Sequence, residues 1–137
     1  MCEYCGCRAI TIIGRFSAEH DEIVNTAGEL ARAAQRGDHA AARECAHDLG
    51  HLLHPHTEGE ERGLFAELRR DPMFTEHIST LCDEHDDLDA RLDRIAKGEL
   101  SGAGAFIDLL RRHIDREENG LFPAAAVAVD WSGCQPR

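Results

Sequence analysis

The chain has 137 residues, 42% apolar and 30% charged, which suits one globular domain with a sizeable core and excludes a disordered tail. Twenty-six acidic against 15 basic side chains give a formal charge of −11, which repels phosphate backbones and argues against binding to nucleic acid or anionic membranes. Apolar runs are far shorter than the ~20 residues that span a bilayer, and no basic stretch followed by an apolar one opens the sequence, so a soluble, unexported, cytoplasmic protein is expected.

Abundant Ala, Leu, Glu and Arg, without strand-like alternation, predict an all-α fold. The first helix is expected over 10–36, where Ile13, Phe16, Ile23, Val24, Ala27, Leu30 and Ala34 recur at three- and four-residue steps before Gly37 stops it. Asp38 caps a second helix reaching Arg70, with Cys45, Leu49, Leu52, Leu53, Leu64 and Leu68 on its apolar face and a kink expected at Pro55. Asp71-Pro72, an N-cap followed by proline, opens a third, whose face of Ile78, Leu81, Leu88, Leu92 and Ile95 ends before Gly98. The fourth starts at Ser101, carries Phe106, Leu109, Leu110, Leu121 and Phe122, and is expected to stop at Pro123. Such short connections make neighbours antiparallel, which predicts an up-down-up-down four-helix bundle over 10–128, preceded by a Cys-rich segment at 1–9 and followed by a tail at 129–137.

An internal repeat runs through this pattern. A shift of 57 lays Leu52-Leu53, His56, Glu60-Glu61 and Gly63-Leu64-Phe65 over Leu109-Leu110, His113, Glu117-Glu118 and Gly120-Leu121-Phe122. A shift of 65 lays Glu19-His20-Asp21 over Glu84-His85-Asp86. Each half therefore reads His, then His-x-x-x-Glu, and a His and a Glu four apart stack on one helix face where they can share a metal ion. His20, His56, His85 and His113 all fall on the apolar stripes, and at ~1.5 Å per residue they lie roughly 15 to 21 Å from one end of the bundle, one layer to within a helical turn. A single such histidine is ordinarily a bonded core or surface residue, but burying four imidazoles and two carboxylates together is costly unless they coordinate metal.

The other histidines fit that ordinary reading. His47, His51 and His54 are turned to the solvent side of the second helix, His39 is in its first turn, and His77 lies two turns before His85. Glu61 and Glu118 are expected to be solvated or to support the ligands from behind, and Asp21 and Asp86 to be surface charges. Six nitrogen and oxygen ligands with two carboxylates suit a pair of ions bridged by Glu60 and Glu117, each completed by two histidines and solvent. Iron is the natural choice, although ligand type leaves manganese or a single ion open.

The pattern resembles the hemerythrin-like, or HHE cation-binding, family over about 10–124, with His20, His56-x-x-x-Glu60, His85 and His113-x-x-x-Glu117 at the family's ligand positions. The resemblance implies a four-helix bundle holding two iron ions with an oxo or hydroxo bridge, reacting with peroxide, dioxygen or nitric oxide. Oxygen-carrying hemerythrins have a fifth histidine four residues before the third-helix ligand, where this chain has Leu81. The six-ligand set is similar to that of iron-centre repair proteins and of hemerythrin-like proteins credited with peroxide decomposition. The expected function is therefore peroxide detoxification with a catalase-like or peroxidase-like activity. The alternatives are an O2 or NO sensor or scavenger, and an iron donor for iron–sulfur cluster repair.

The bundle topology brings Cys134 to the same end as Cys2, Cys5 and Cys7. Four thiolates could hold zinc, copper(I) or an iron–sulfur cluster, the alternatives being reduced tail cysteines or an opportunistic disulfide. Cys45 and Cys82 are expected to be small buried hydrophobes.

Overall fold

The computed structural model describes residues 5–128, with side chains for 11–127. Four helical rods are arranged antiparallel. The first is α1 (Cys5–Arg36); the second combines α2 (His39–Gly59), a π turn (Glu60–Leu64) and α3 (Phe65–Leu68). The third is a 3₁₀ turn (Pro72–Phe74) leading into α4 (Thr75–Ala96). The fourth is a 3₁₀ turn (Leu100–Gly102), α5 (Ala103–Arg116), a second π turn (Glu117–Leu121) and α6 (Phe122–Ala128). Packing runs α1 on α2, α2 on α4, α4 on α5 and α5 back on α1, which closes the ring of an all-α four-helix bundle.

The stops and starts are local chemistry. Gly37 (φ 71°) and Gly98 (φ 111°) supply the left-handed residue after α1 and α4, and Asp38 N–H to Ala33 O at 3.0 Å and Glu99 N–H to Arg94 O at 3.0 Å complete the same end motif at both. Asp38 accepts from Ala41 N–H to open α2, and Asp71 accepts from Met73 N–H ahead of Pro72 to open the third rod.

Three boundaries differ from expectation. α1 begins at Cys5 rather than residue 10, so the backbone at Cys5 and Cys7 belongs to the helix; Cys2 and Cys134 lie outside the described residues. Ser101 sits inside a 3₁₀ turn, and Gly102 precedes α5. α2 includes Pro55, where proline forfeits the bond to the His51 carbonyl and both residues are exposed. Pro123 does not end the fourth rod, because the π turn has already opened the hydrogen-bond ladder before it, and a residue without N–H loses little there.

The two π turns correct the helical phase. Buried positions in the second rod run Ala42, Ala46, Leu49, Leu53, His56, Glu60, alternating four and three, and then continue Leu64, Leu68 by fours. The fourth rod does the same with Phe106, Leu110, His113, Glu117, Leu121 and Ala125. An α-helix cannot hold three successive four-residue steps on one face; one extra residue in the turn, seen as Phe65 N–H to Glu60 O and Phe122 N–H to Glu117 O, keeps both the His-x-x-x-Glu residues and the leucines inward.

Buried polar groups divide the core in two. On one side lie Ile23, Leu30, Leu49, Leu53, Leu88, Leu92, Phe106 and Leu110 with their neighbours; on the other lie Phe16, Leu64, Phe65, Leu68, Ile78, Leu81, Leu121 and Phe122. Each fully buried Leu, Ile or Phe contributes about 1.5–3 kcal/mol, so the two apolar clusters hold the bundle together around a layer that by itself opposes folding. Cys45 and Cys82 are half-buried, each against one cluster.

Candidate metal centre

Between the two clusters the four rods bring together His20, His56, Glu60, His85, His113 and Glu117, each at most 4% exposed. Two groups form that share both glutamates: His20 and His56 with Glu60 and Glu117, and His85 and His113 with the same pair. Glu60 turns Oε2 to His56 Nε2 (3.2 Å) and Oε1 to His85 Nε2 (3.2 Å). Glu117 turns Oε1 to His20 Nε2 (2.9 Å) and Oε2 to His113 Nε2 (3.2 Å). Each carboxylate thus offers one oxygen to each histidine pair. The two pairs repeat one geometry, with ring centroids 4.7 Å apart and planes inclined at 58° in both.

The donor set fits cations and little else. Nε2 of His20 and His56 and all four carboxylate oxygens of Glu60 and Glu117 are buried without a well-formed hydrogen bond. Orphaned buried acceptors cost several kcal/mol together, and here they converge on two points. Positive charge is what the layer lacks. Burial, then the neighbouring Glu117, pushes the Glu60 carboxyl well above the usual carboxylate range, even against the nearby imidazole of His85. Burial would raise Glu117 too, but the close imidazoles of His113, His20 and His85 outweigh it and hold that carboxyl well below the usual range. His85, which burial would lower, is pushed up to about 9 by the carboxyl groups of Glu117, Glu60 and Glu61 around it. Protons therefore supply the compensating charge whenever a cation does not.

A second ring of carboxylates backs the histidines. Nδ1 of His20 donates to Glu118 (2.6 Å), of His56 to Glu19 (2.7 Å), of His85 to Glu61 (2.6 Å) and of His113 to Glu84 (2.8 Å). A carboxylate acceptor requires the proton on Nδ1, so Nε2 is the atom that faces the layer and offers its lone pair there once it is deprotonated. Glu61 and Glu118 are half-buried and take the supporting part expected of them. Glu19 and Glu84 were not anticipated, although the signal was present: the 65-residue shift superimposes Glu19-His20 on Glu84-His85, and the glutamate repeats with the histidine. Glu84 is also bound by Arg116; burial would raise its pKa, but that guanidinium and His113 lower it. Replacing Glu84 by Leu is expected to weaken metal binding about 10–100-fold, measured by competition with a chromophoric chelator, whereas Asp87→Asn, which disturbs only an exposed pair with Arg91, should leave affinity unchanged.

Aromatic rings seal one side of the layer. Phe122 stacks on His20 (5.7 Å, 7°), Phe65 on His85 (5.6 Å, 10°), and Phe16 meets His56 edge-on (5.6 Å, 88°). Leu81, at the place of a fifth histidine, is fully buried in the same apolar cluster. His39, His47, His51 and His54 are exposed and His77 half-buried, all outside the layer, and Asp21 and Asp86 are exposed. Among the described residues no helix is long and apolar enough to cross a membrane.

Paired histidines and shared carboxylates in the middle of a four-helix bundle define a metal-binding bundle protein. The hemerythrin HHE cation binding domain matches residues 11–125, and the chain belongs to that family. Searches of curated proteins and of solved structures each found no match.

Proposed function

We propose that the protein is a non-haem di-iron protein that reacts with hydrogen peroxide and removes it. The observation that supports this reading is the split of donors: each half of the layer has two imidazoles plus one oxygen from each shared carboxylate, a hard, mixed N/O set that leaves positions for a small molecule. His20, His56, Glu60 and Glu117 would hold one ion, and His85, His113 and the same two glutamates the other. Two iron ions bound there supply Lewis acidity and reversible one-electron chemistry toward peroxide or dioxygen.

The chain's own groups set the conditions. Glu118, Glu19, Glu61 and Glu84 fix the four rings and keep the proton on Nδ1. Phe16, Phe65 and Phe122 keep bulk water from one side. Leu81 withholds a further imidazole, so an ion held there would have one protein ligand fewer than in an oxygen carrier. Iron-loaded protein should carry two irons per chain by elemental analysis and evolve oxygen from added peroxide well above an equal amount of free iron. Turnover no faster than free iron in a fully loaded sample would refute the peroxide reading.

A further inference from the structure

Two surface cavities on the same side of the bundle meet at shared residues. A groove of about 330 Å³ between α2 and α4 is bordered by His47, His51 and His54 from one helix and Asp89 and Asp93 from the other. A second cleft, about 430 Å³, shares His54 and Asp89 with it and continues past Glu58, Asp86 and Glu61 to His85. His54 Nδ1 and Asp89 Oδ1 already lie 3.4 Å apart. We propose that this groove binds a divalent transition-metal ion and is the route by which that ion reaches the buried centre. The proposal rests on the metal-centre reading above and adds to it a site outside the buried layer.

Three observations converge on it. The first is ligand type and spacing. His47 and His51, like Asp89 and Asp93, are four apart and so share a helix face, and His54 continues the histidine face one turn on. Imidazole with carboxylate is a donor set for late first-row divalent ions, and steps of four residues place successive donors about 6 Å apart along the helix. The second is charge. The groove has no Lys or Arg in its lining; Lys97 pairs with Asp93 at 2.9 Å, and the one guanidinium in the cleft, Arg62, is held at 2.9 Å by Glu58, which leaves Asp86 and Asp89, where groove and cleft meet, as the acids that attract cations and repel anions. The third is where the path ends: Glu61, at the foot of the cleft, binds His85 Nδ1 at 2.6 Å and is the last carboxylate before the ligand layer.

The internal repeat shows that this face is not a by-product of duplication. The positions equivalent to His47, His51 and His54 are Gly104, Asp108 and Arg111, and those equivalent to Asp89 and Asp93 are Val24 and Gly28. The opposite cleft, which reaches His20, has only Asp21 and Glu118 as acids. One half of the bundle carries the chain of ligands, and the other lacks it.

The test uses the full chain with His47→Gln, His51→Gln and His54→Gln combined. These side chains are exposed, so the fold should be unaffected. Iron(II) is added under argon to metal-stripped protein, and uptake is followed by quenching with chelator and elemental analysis. The triple variant should load roughly tenfold more slowly, because the imidazoles that hold the ion in the groove and so raise its local concentration at the path are gone, yet reach the same final iron content, while Asp21→Asn in the opposite cleft loads at the wild-type rate. Nickel(II) added to iron-loaded wild type should occupy one further site that the triple variant lacks. Equal loading rates, or no additional nickel on the wild type, would overturn the proposal. If neither protein takes up iron, it is the di-iron reading and with it the delivery role that fail, and the nickel titration still decides whether the groove is a site.

Discussion

Glu60→Gln and Glu117→Gln should each lower bound iron from two ions per chain to one or fewer, with helix content nearly unchanged. An amide keeps the size of the side chain but loses the charge that balances two cations and the second equivalent oxygen needed to serve both histidine pairs. Since each glutamate reaches both groups, one substitution damages both ion positions, whereas losing a single histidine would damage one. The metal-free protein should respond in the opposite sense. Burial already drives Glu60 toward its neutral form, so Glu60→Gln is expected to be neutral or mildly stabilising without metal. Elemental analysis and thermal melts of the loaded and stripped variants check both halves. Glu76→Gln and Glu29→Gln, exposed and away from the layer, are the controls. Retention of two irons in Glu60→Gln would show that the carboxylate is not shared.

Stripping the metal should lower the melting temperature on the order of 15 °C, and the gap should widen with pH. A ligand at a thousand times its dissociation constant stabilises the fold by about 4 kcal/mol, and a domain of this size shifts by roughly 3–5 °C per kcal/mol. The sign of the pH effect follows from His85, whose pKa rises from 6.5 to about 9 in the metal-free fold. Its protonated form stabilises that fold fully below pH 6.5, and this contribution is lost as pH rises through about 9. Ion binding needs the same nitrogen deprotonated, so the metal gains what the proton gives up over that window. Melts at pH 6.5 and pH 9, with and without a chelator, should show the larger difference at the higher pH. A gap that narrows would mean that the layer is not in competition for protons.

Much of this protein is decided within single helices. The stops at Gly37 and Gly98, the caps at Asp38 and Asp71, and the inward faces of His20, His56, His85 and His113 depend on residues a few positions apart, and periodicity reports them directly. The repeated His-x-x-x-Glu belongs to the same kind of information, which is why the six central residues could be named before any packing was known. The π turns are different. Nothing in the local propensities of Glu60–Leu64 or Glu117–Leu121 demands an extra residue per turn; it arises because Leu64, Leu68, Leu121 and Ala125 must stay in the core after the buried Glu60 and Glu117 have set the phase.

Contacts between helices were the part that only the packed bundle could decide. Glu19 on α1 supports His56 on α2, and Glu84 on α4 supports His113 on α5, over separations of 37 and 29 residues. From one helix alone these acids are ordinary surface charges; they become supports for a histidine when the neighbouring rod is fixed in height and rotation. The histidine and aspartate faces of α2 and α4 likewise form one groove only because the rods run antiparallel with His54 level with Asp89. Periodicity determines which way a side chain points, while its partner is chosen by the relative placement of two rods, which the apolar clusters above and below the metal layer set together.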